Sequence, residues 1–221
     1  MKNIILFGGG NHISYCIDII ENEKKYNIIG IADPYILVGT EIMGYKVIGK
    51  QEEIKDLIKK YHIDAGLITI GDNWTRKIVM DIINFLVPGF EFVSVIHPSV
   101  IIGKHSTFGK GTVMMAGSIV STNSSIGEFC FLASGAFLGP DCIMGNFSSL
   151  SAGSVTGGRI KIGEYTAITL GVTLFDRIEI GDHSVIGGGS LVTKSIPSFV
   201  IAYGNPAKVI KERKIGDKYL K

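Results

Sequence analysis

Three clusters of residues in this 221-residue chain have the types and spacing to do chemistry. Gly8-Gly9-Gly10-Asn11-His12 follows the apolar run Ile4–Phe7 and opens a segment of helical spacing. Glycines there let the backbone approach a phosphate, and a helix N-terminus favours an anion. Gly8, Gly10, Asn11 and His12 are therefore candidate substrate contacts, although an ordinary strand–helix turn has the same pattern. The motif is not a full G-x-G-x-x-G, which argues against a nicotinamide nucleotide. Asp33 ends a second apolar run, where it could hydrogen-bond a ribose or base or act as a turn or helix-cap residue. Gly71-Asp72-Asn73 closes a third run, so Asn73 would border the same crevice. Arg76, one turn further on, could meet a phosphate or sit in a surface salt bridge. The third cluster is the segment from Ala133 to Cys142, with Asp141 as its one carboxylate.

The elements that must position these residues divide near residue 95. Before it, strand-like Ile4–Phe7, Ile28–Ala32, Gly66–Ile70 and Phe90–Val95 alternate with helical stretches from Ile13, over Gln51–Tyr61 and over Trp74–Phe85. This alternation predicts a small parallel, Rossmann-like sheet with helices on its faces, over residues 1–95.

From Ile96 a six-residue register takes over. It runs through Ile96, Ile102, Phe108, Met114, Val120 and onward to Val192, and of its seventeen positions only Thr156 is not apolar. Glycine often follows, as at Gly103, Gly109, Gly127, Gly139, Gly145, Gly157, Gly163, Gly181 and Gly187, and a small residue often stands four places on. Neither a helix nor a flat strand has a period of six. One inward residue per six, with three hexads to a coil, predicts a triangular solenoid of about five and a half coils over residues 96–200. Eighteen residues before Asp141 stands Asn123, and a coil earlier His105; eighteen after it stands Arg159, then Arg177. With coils about 4.8 Å apart, Asn123 and Arg159 reach Asp141, whereas His105 lies roughly 10 Å away. His183 falls at a different corner.

Composition removes several classes. Lys+Arg 22 against Asp+Glu 20 leaves a net charge of +2, without the basic excess of a nucleic-acid binder. No apolar run reaches the ~18 residues of a membrane span, and the N-terminal apolar run is too short for a signal peptide. Cys16, Cys130 and Cys142 form no Cys-x-x-Cys pair, which fits a reducing, cytoplasmic location. His97, His105 and His183 share no spacing that gives three metal ligands, so no metal is expected and a metal-dependent β-helix enzyme is disfavoured.

Taken together, Gly8–His12, Ile70-Gly71-Asp72-Asn73 with Arg76, Ile96-His97-Pro98-Ser99, the hexads and Gly204-Asn205-Pro206-Ala207-Lys208 resemble one family in its own order. It is the sialic acid O-acetyltransferase type of hexapeptide-repeat sugar O- and N-acyltransferases. Its members include bacterial enzymes that N-acetylate nucleotide-linked amino sugars. The resemblance implies a left-handed parallel β-helix, a homotrimer, and acetyl-CoA held between neighbouring β-helices. It also implies a nucleotide-linked amino sugar held by residues 1–95, and a role in surface-glycan (lipopolysaccharide) synthesis. It places Asn205, Pro206, Ala207 and Lys208 along the CoA groove, in a C-terminal segment over 201–221. Lys208, Lys211, Arg213 and Lys214 would then meet CoA phosphates or form a solvated helix face. Gly153 and Gly171, one coil apart, are the candidate CoA edge, with backbone amides polarising the thioester. His97 recurs in the family, and here it reads as closing the first coil.

One departure stands out. Where the family has a catalytic histidine followed by Asp or Glu and then Cys, this chain has Pro140-Asp141-Cys142, and Ala133 replaces an asparagine. Three readings stay open. In the first, an N-acyltransferase uses Asp141, or no protein group, for the proton. In the second, the substrate or acyl group differs from the family norm. In the third, the chain is a binding or scaffolding trimer that has lost catalysis.

Overall fold

The computed structural model describes residues 1–219, so the last two residues of the expected C-terminal segment, 220 and 221, lie outside the described residues. It forms two compact units, Met1–Val95 and Ile96–Lys221.

In the first unit, β1 (Lys2–Phe7), α1 (Ile13–Glu23) and β2 (Tyr26–Ala32) are followed by a hairpin of β3 (Glu41–Ile42) and β4 (Tyr45–Gly49). Next come α2 (Ile54–Tyr61), β5 (Ala65–Ile68) and α3 (Asn73–Leu86). The sheet order is β3-β4-β2-β1-β5, with β2, β1 and β5 mutually parallel. Ile4, Ile5, Leu6 and Phe7 are fully buried, as a central strand covered on both faces requires. The chain leaves β1 toward β2 on one side and later returns to β5 on the other. The carboxyl ends of β1 and β5 therefore flank a topological switch point, the usual ligand position in such sheets.

Two details differ from the pattern read in the sequence. The hairpin at 41–49 was not anticipated. The strand read over Phe90–Val95 shrinks to a single parallel bridge of Phe92 with Gly66, in which Gly66 N–H donates to Glu91 O and Val93 N–H to Gly66 O. The rings of Phe90 and Phe92 join Phe7 in an aromatic cluster, with Phe90 edge to face against both others.

The second unit is a left-handed parallel β-helix. Two-residue strands pair with the strand eighteen residues on, as Ile119 does with Phe137 and Ile143 with Lys161. They stack into three sheets. Register residues Met114, Val120, Leu132, Leu138, Leu150 and Ile168 form the buried axis. Thr156 keeps its place there because its hydroxyl is satisfied: it accepts from Gly139 N–H at 2.8 Å and donates to Gly157 O at 3.0 Å. Ile102 and Phe108 are inward by register yet about 40% exposed, 39% and 41%, because no coil lies below them.

The glycine after each register residue has a steric cause. A Cβ on Gly103 would stand 2.6 Å from Thr122 N, and one on Gly145 2.7 Å from Glu164 N. The backbone of the next coil occupies that space.

At each of the three corners one residue per coil takes a left-handed conformation, and the corners differ in chemistry. The first carries His105, Asn123, Asp141, Arg159 and Arg177, with φ between 56° and 63°. The second carries Phe129, Phe147, Tyr165, His183 and Phe199, whose rings stack with centroids 4.5 to 5.4 Å apart. The third is all glycine: Gly117, Gly135, Gly153, Gly171 and Gly189.

The stack makes a prediction. Burial between Tyr165 and Phe199 lowers the pKa of His183; Asp182 and Glu164 oppose that shift and Arg213 reinforces it. A histidine lowered in the folded state supports stability fully above its unfolded value, near 6.5. That support is lost as the pH falls below 6.5. His183→Phe extends the stack without a titrating group. Thermal melts at pH 8 and pH 5 are expected to show a smaller drop in Tm for the variant than for the wild type.

The chain ends in an antiparallel hairpin, Val200–Gly204 with Ala207–Glu212, joined by Asn205-Pro206. Lys208 and Lys211 thus lie on an exposed strand, not on the helix face weighed from the sequence.

Candidate functional site

The crevice of the first unit is built at the ends of β1, β2 and β5. Gly8 has φ 107°, and a Cβ on it would meet Ile70 Cγ1 at 2.6 Å, so the turn requires glycine. Gly10 and Asn11 are exposed; nothing lies within 4 Å of a Cβ on Gly10. His12 is the N-cap of α1. Its ring lies over Gly71, whose Cβ would stand 2.2 Å from His12 Nε2. Burial, and then the Arg76 charge, lower the pKa of His12. The imidazole is thereby biased to its neutral form, able to donate or accept at the mouth of the crevice.

Asp33 is buried and fully engaged. Its Oδ2 accepts from Gly9 N–H at 2.7 Å, and its Oδ1 from Tyr35 and Ile36 N–H at 2.8 and 3.1 Å. This is the turn-residue geometry. Asp72 caps α3 through Thr75 N–H at 2.8 Å. Arg76 is 1% exposed, so it stands neither on the surface nor open to a phosphate, the two positions read for it from the sequence. Its guanidinium donates to Ile70 O, Gly71 O and Asn73 Oδ1 at 2.8 to 3.0 Å. A strand end leaves carbonyls unpaired, and a buried arginine with five donors satisfies them. Arg76 and Asn73 thus brace the wall of the crevice.

In the β-helix, Asn123 Nδ2 donates to Asp141 Oδ1 at 3.2 Å. Arg159 Nε stands 3.9 Å from Asp141 Oδ2, an exposed ion pair beyond hydrogen-bond reach. That oxygen is open. Pro140 is exposed beside it, and Cys142 is buried, its thiol pKa raised chiefly by that burial. Gly153 and Gly171 lie at the glycine corner, away from Asp141's corner. Their own N–H groups are donated to Ser134 O and Ala152 O, so any amide free to polarise a carbonyl at this corner belongs to a neighbouring residue. What they offer is a bare backbone strip. A Cβ on Gly135, Gly153, Gly171 or Gly189 would meet nothing within 4 Å. The first corner holds asparagine, aspartate and arginine at a similar φ, so conformation alone does not demand glycine at the third. The strip fits a long, narrow ligand lying along the solenoid.

His97 closes the first coil, its N–H donating to Met114 O and its Nδ1 2.7 Å from Ser99 Oγ. Among the described residues no group of three His, Cys, Asp or Glu side chains is placed to hold a metal ion. No helix among them is long and apolar enough to cross a membrane.

Residues 3–83 match the PglD N-terminal domain family. That stretch of the first unit is similar to the PglD N-terminal domain. Sequence and structure together place the chain beside sugar N-acetyltransferases, in keeping with the resemblance read from the motifs. PerB from Caulobacter crescentus, solved with CoA and GDP-perosamine, is 26% identical, with a TM-score of 0.88 over 96% of this chain and 98% of that chain. The acetyltransferase domain of PglB from Neisseria gonorrhoeae FA1090, solved with acetyl coenzyme A, shares the fold at 23% identity. Its TM-score is 0.85, over 95% of this chain and 99% of that chain. UDP-N-acetylbacillosamine N-acetyltransferase from Bacillus subtilis (strain 168) is 28% identical over 118 residues, 52% of each chain. The match spans about half the length of that curated relative. The likeness to PerB runs past residues 3–83 and through the β-helix.

Proposed function

We propose that this chain is an acetyl-CoA-dependent sugar N-acyltransferase that acetylates the amine of a nucleotide-linked amino sugar. Its context would be bacterial surface-glycan synthesis in the cytoplasm. The observation that carries the reading is the glycine strip at the third corner: a side chain would fit there, yet none is present, as expected where the pantetheine arm of CoA lies. Relatives that bind CoA and, in one case, GDP-perosamine support the ligand classes. Asn205, Pro206, Ala207 and Lys208 would line the far end of the groove, and the exposed lysines there suit phosphate. The N–H groups of Ala152 and Leu170, which donate to no carbonyl among the described residues, would polarise the thioester carbonyl. Gly8, Gly10, Asn11 and His12 would receive the nucleotide sugar, with Asp33, Asn73 and Arg76 holding that wall in shape.

In the transfer the sugar nitrogen attacks the thioester carbonyl. A C–N bond forms, the C–S bond breaks, and the proton lost from nitrogen ends on the departing thiolate. Asp141 Oδ2 is the open group at its corner; since that corner is not the glycine strip's, it is the Asp141 of a neighbouring chain that would carry that proton. An amine needs less help to lose a proton than a hydroxyl, which favours N- over O-transfer in a chain with proline at position 140.

A homotrimer is supported by the outward face of one sheet. Ile101, Ile119, Phe137, Val155 and Leu191 form an apolar stripe along it, interrupted by Thr173, with Ile101 and Val155 exposed in the single chain. A neighbour would cover it, and would bring a second chain to the groove.

The test is thiol release from acetyl-CoA with UDP-, GDP- and dTDP-linked amino sugars. Release is expected with one of them, and Asp141→Asn is expected to lower kcat about a hundredfold, in the range for a lost general base. A second reading, a sugar-nucleotide-binding or scaffolding trimer without turnover, is favoured by Pro140 and by the Asn123 and Arg159 contacts to Asp141. Binding of both ligands with no release across the panel would establish it instead.

A further inference from the structure

Beside the glycine turn stands an apolar prominence that the fold does not use. After β2 the chain runs through Tyr35, Leu37 and Val38, which are 94%, 80% and 56% exposed. Tyr35 meets no side-chain partner among the described residues. Yet the loop is tied down at both ends. Asp33 Oδ1 accepts the N–H groups of Tyr35 and Ile36, and Gly39 N–H donates to Val47 O at 2.8 Å. A Cβ on Gly9 would stand 2.5 Å from Ile36 Cδ1, so the loop is seated directly on the turn. One buried carboxylate thus fixes both Gly9 and the residue that carries the exposed ring.

A nucleotide-linked sugar has three parts. Its diphosphate takes N–H groups and cations, its sugar takes hydrogen bonds, and only its base offers a flat apolar face. With phosphate at the first glycine turn, the ribose lies toward the end of the second strand, and the base lies beyond it, where Tyr35 projects. We propose that Tyr35 is the stacking platform for the nucleobase, and that Asp33 is a positioning residue coupling this platform to the phosphate turn. The proposal rests on the nucleotide-sugar reading above. Stacking on a ring tolerates any base, so the platform supplies affinity and leaves the choice of nucleotide to other contacts.

The experiment is calorimetric binding of UDP, GDP, dTDP and inorganic pyrophosphate to the full chain as wild type, Tyr35→Phe and Tyr35→Ala. Tyr35→Ala is expected to weaken each nucleoside diphosphate by about five- to about a hundredfold, the range for losing one stacked base. Tyr35→Phe should bind like the wild type, and pyrophosphate should bind all three proteins equally. Unchanged nucleotide binding in Tyr35→Ala overturns the platform while leaving the nucleotide-sugar reading intact. So does a parallel loss of pyrophosphate, because the effect would then not belong to the base. A wild type that binds no nucleoside diphosphate overturns the nucleotide-sugar reading itself, and the platform with it.

Discussion

Gly139→Ala is expected to destabilise the β-helix by at least about 3 kcal/mol, an exceptional loss for one methyl group. The added Cβ would stand 2.1 Å from Gly157 O, 2.7 Å from Gly157 C and 2.9 Å from Thr156 O. All three are backbone atoms of the coil above, so no rotamer change relieves the clash. Moving that coil would also break the Gly139 N–H bond to the Thr156 hydroxyl and expose a polar group in the core. Gly117→Ala is the matched control. Its Cβ would have only Gly135 N nearby, at 3.9 Å, leaving the left-handed φ of 71° as the cost, which is about 1–2 kcal/mol. Urea unfolding of the two variants checks the contrast. Equal losses would mean that the inter-coil contact at Gly139 costs no more than the left-handed φ at Gly117.

Gly171→Asn is expected to do the opposite: to spare the fold and disable the enzyme. Asn123 already occupies a corner at φ 58°, and Gly171 has φ 63° with open space where a Cβ would stand. Folding should therefore change by no more than about 1–2 kcal/mol. If the pantetheine arm lies on this strip, the new side chain displaces it by more than an ångström, which is enough to cost about 10²-fold in kcat/KM. Thermal melts and thiol-release kinetics on the same preparation separate the two effects. A variant with full activity would remove the strip from the CoA site.

The hexads were legible because burial repeats rigidly: one inward residue, a glycine where the next coil crosses, and a small residue near the turn. The Asp141 column was legible by the same arithmetic, and its contacts to Asn123 and Arg159 appear in the structure. The same arithmetic puts Gly153 twelve residues from Asp141, two-thirds of a coil, so their separation at different corners was also available in the sequence. Other features were not legible. Arg76 reads as a phosphate contact or a surface salt bridge, whereas the carbonyls of Ile70 and Gly71 and the Asn73 side chain hold it buried. The short strands at 41–42 and 45–49 are too brief for a periodic signal. Phe90-Glu91-Phe92-Val93 has strand composition, but its rings are drawn into the Phe7 cluster.

The solenoid keeps two clocks. Its core repeats every hexad, whereas the identity of each corner returns only every eighteen residues, as the pairing of Ile119 with Phe137 shows. Indels of these two lengths would have different fates. Losing eighteen residues removes a storey and leaves every corner above it facing as before. Losing six preserves a fully apolar interior but turns everything downstream by one corner. The glycine strip would then continue into aromatic rings or charged side chains, in a protein that still folds. In this architecture a lineage can change chemistry by a rotation, without substituting any residue that stays in its core.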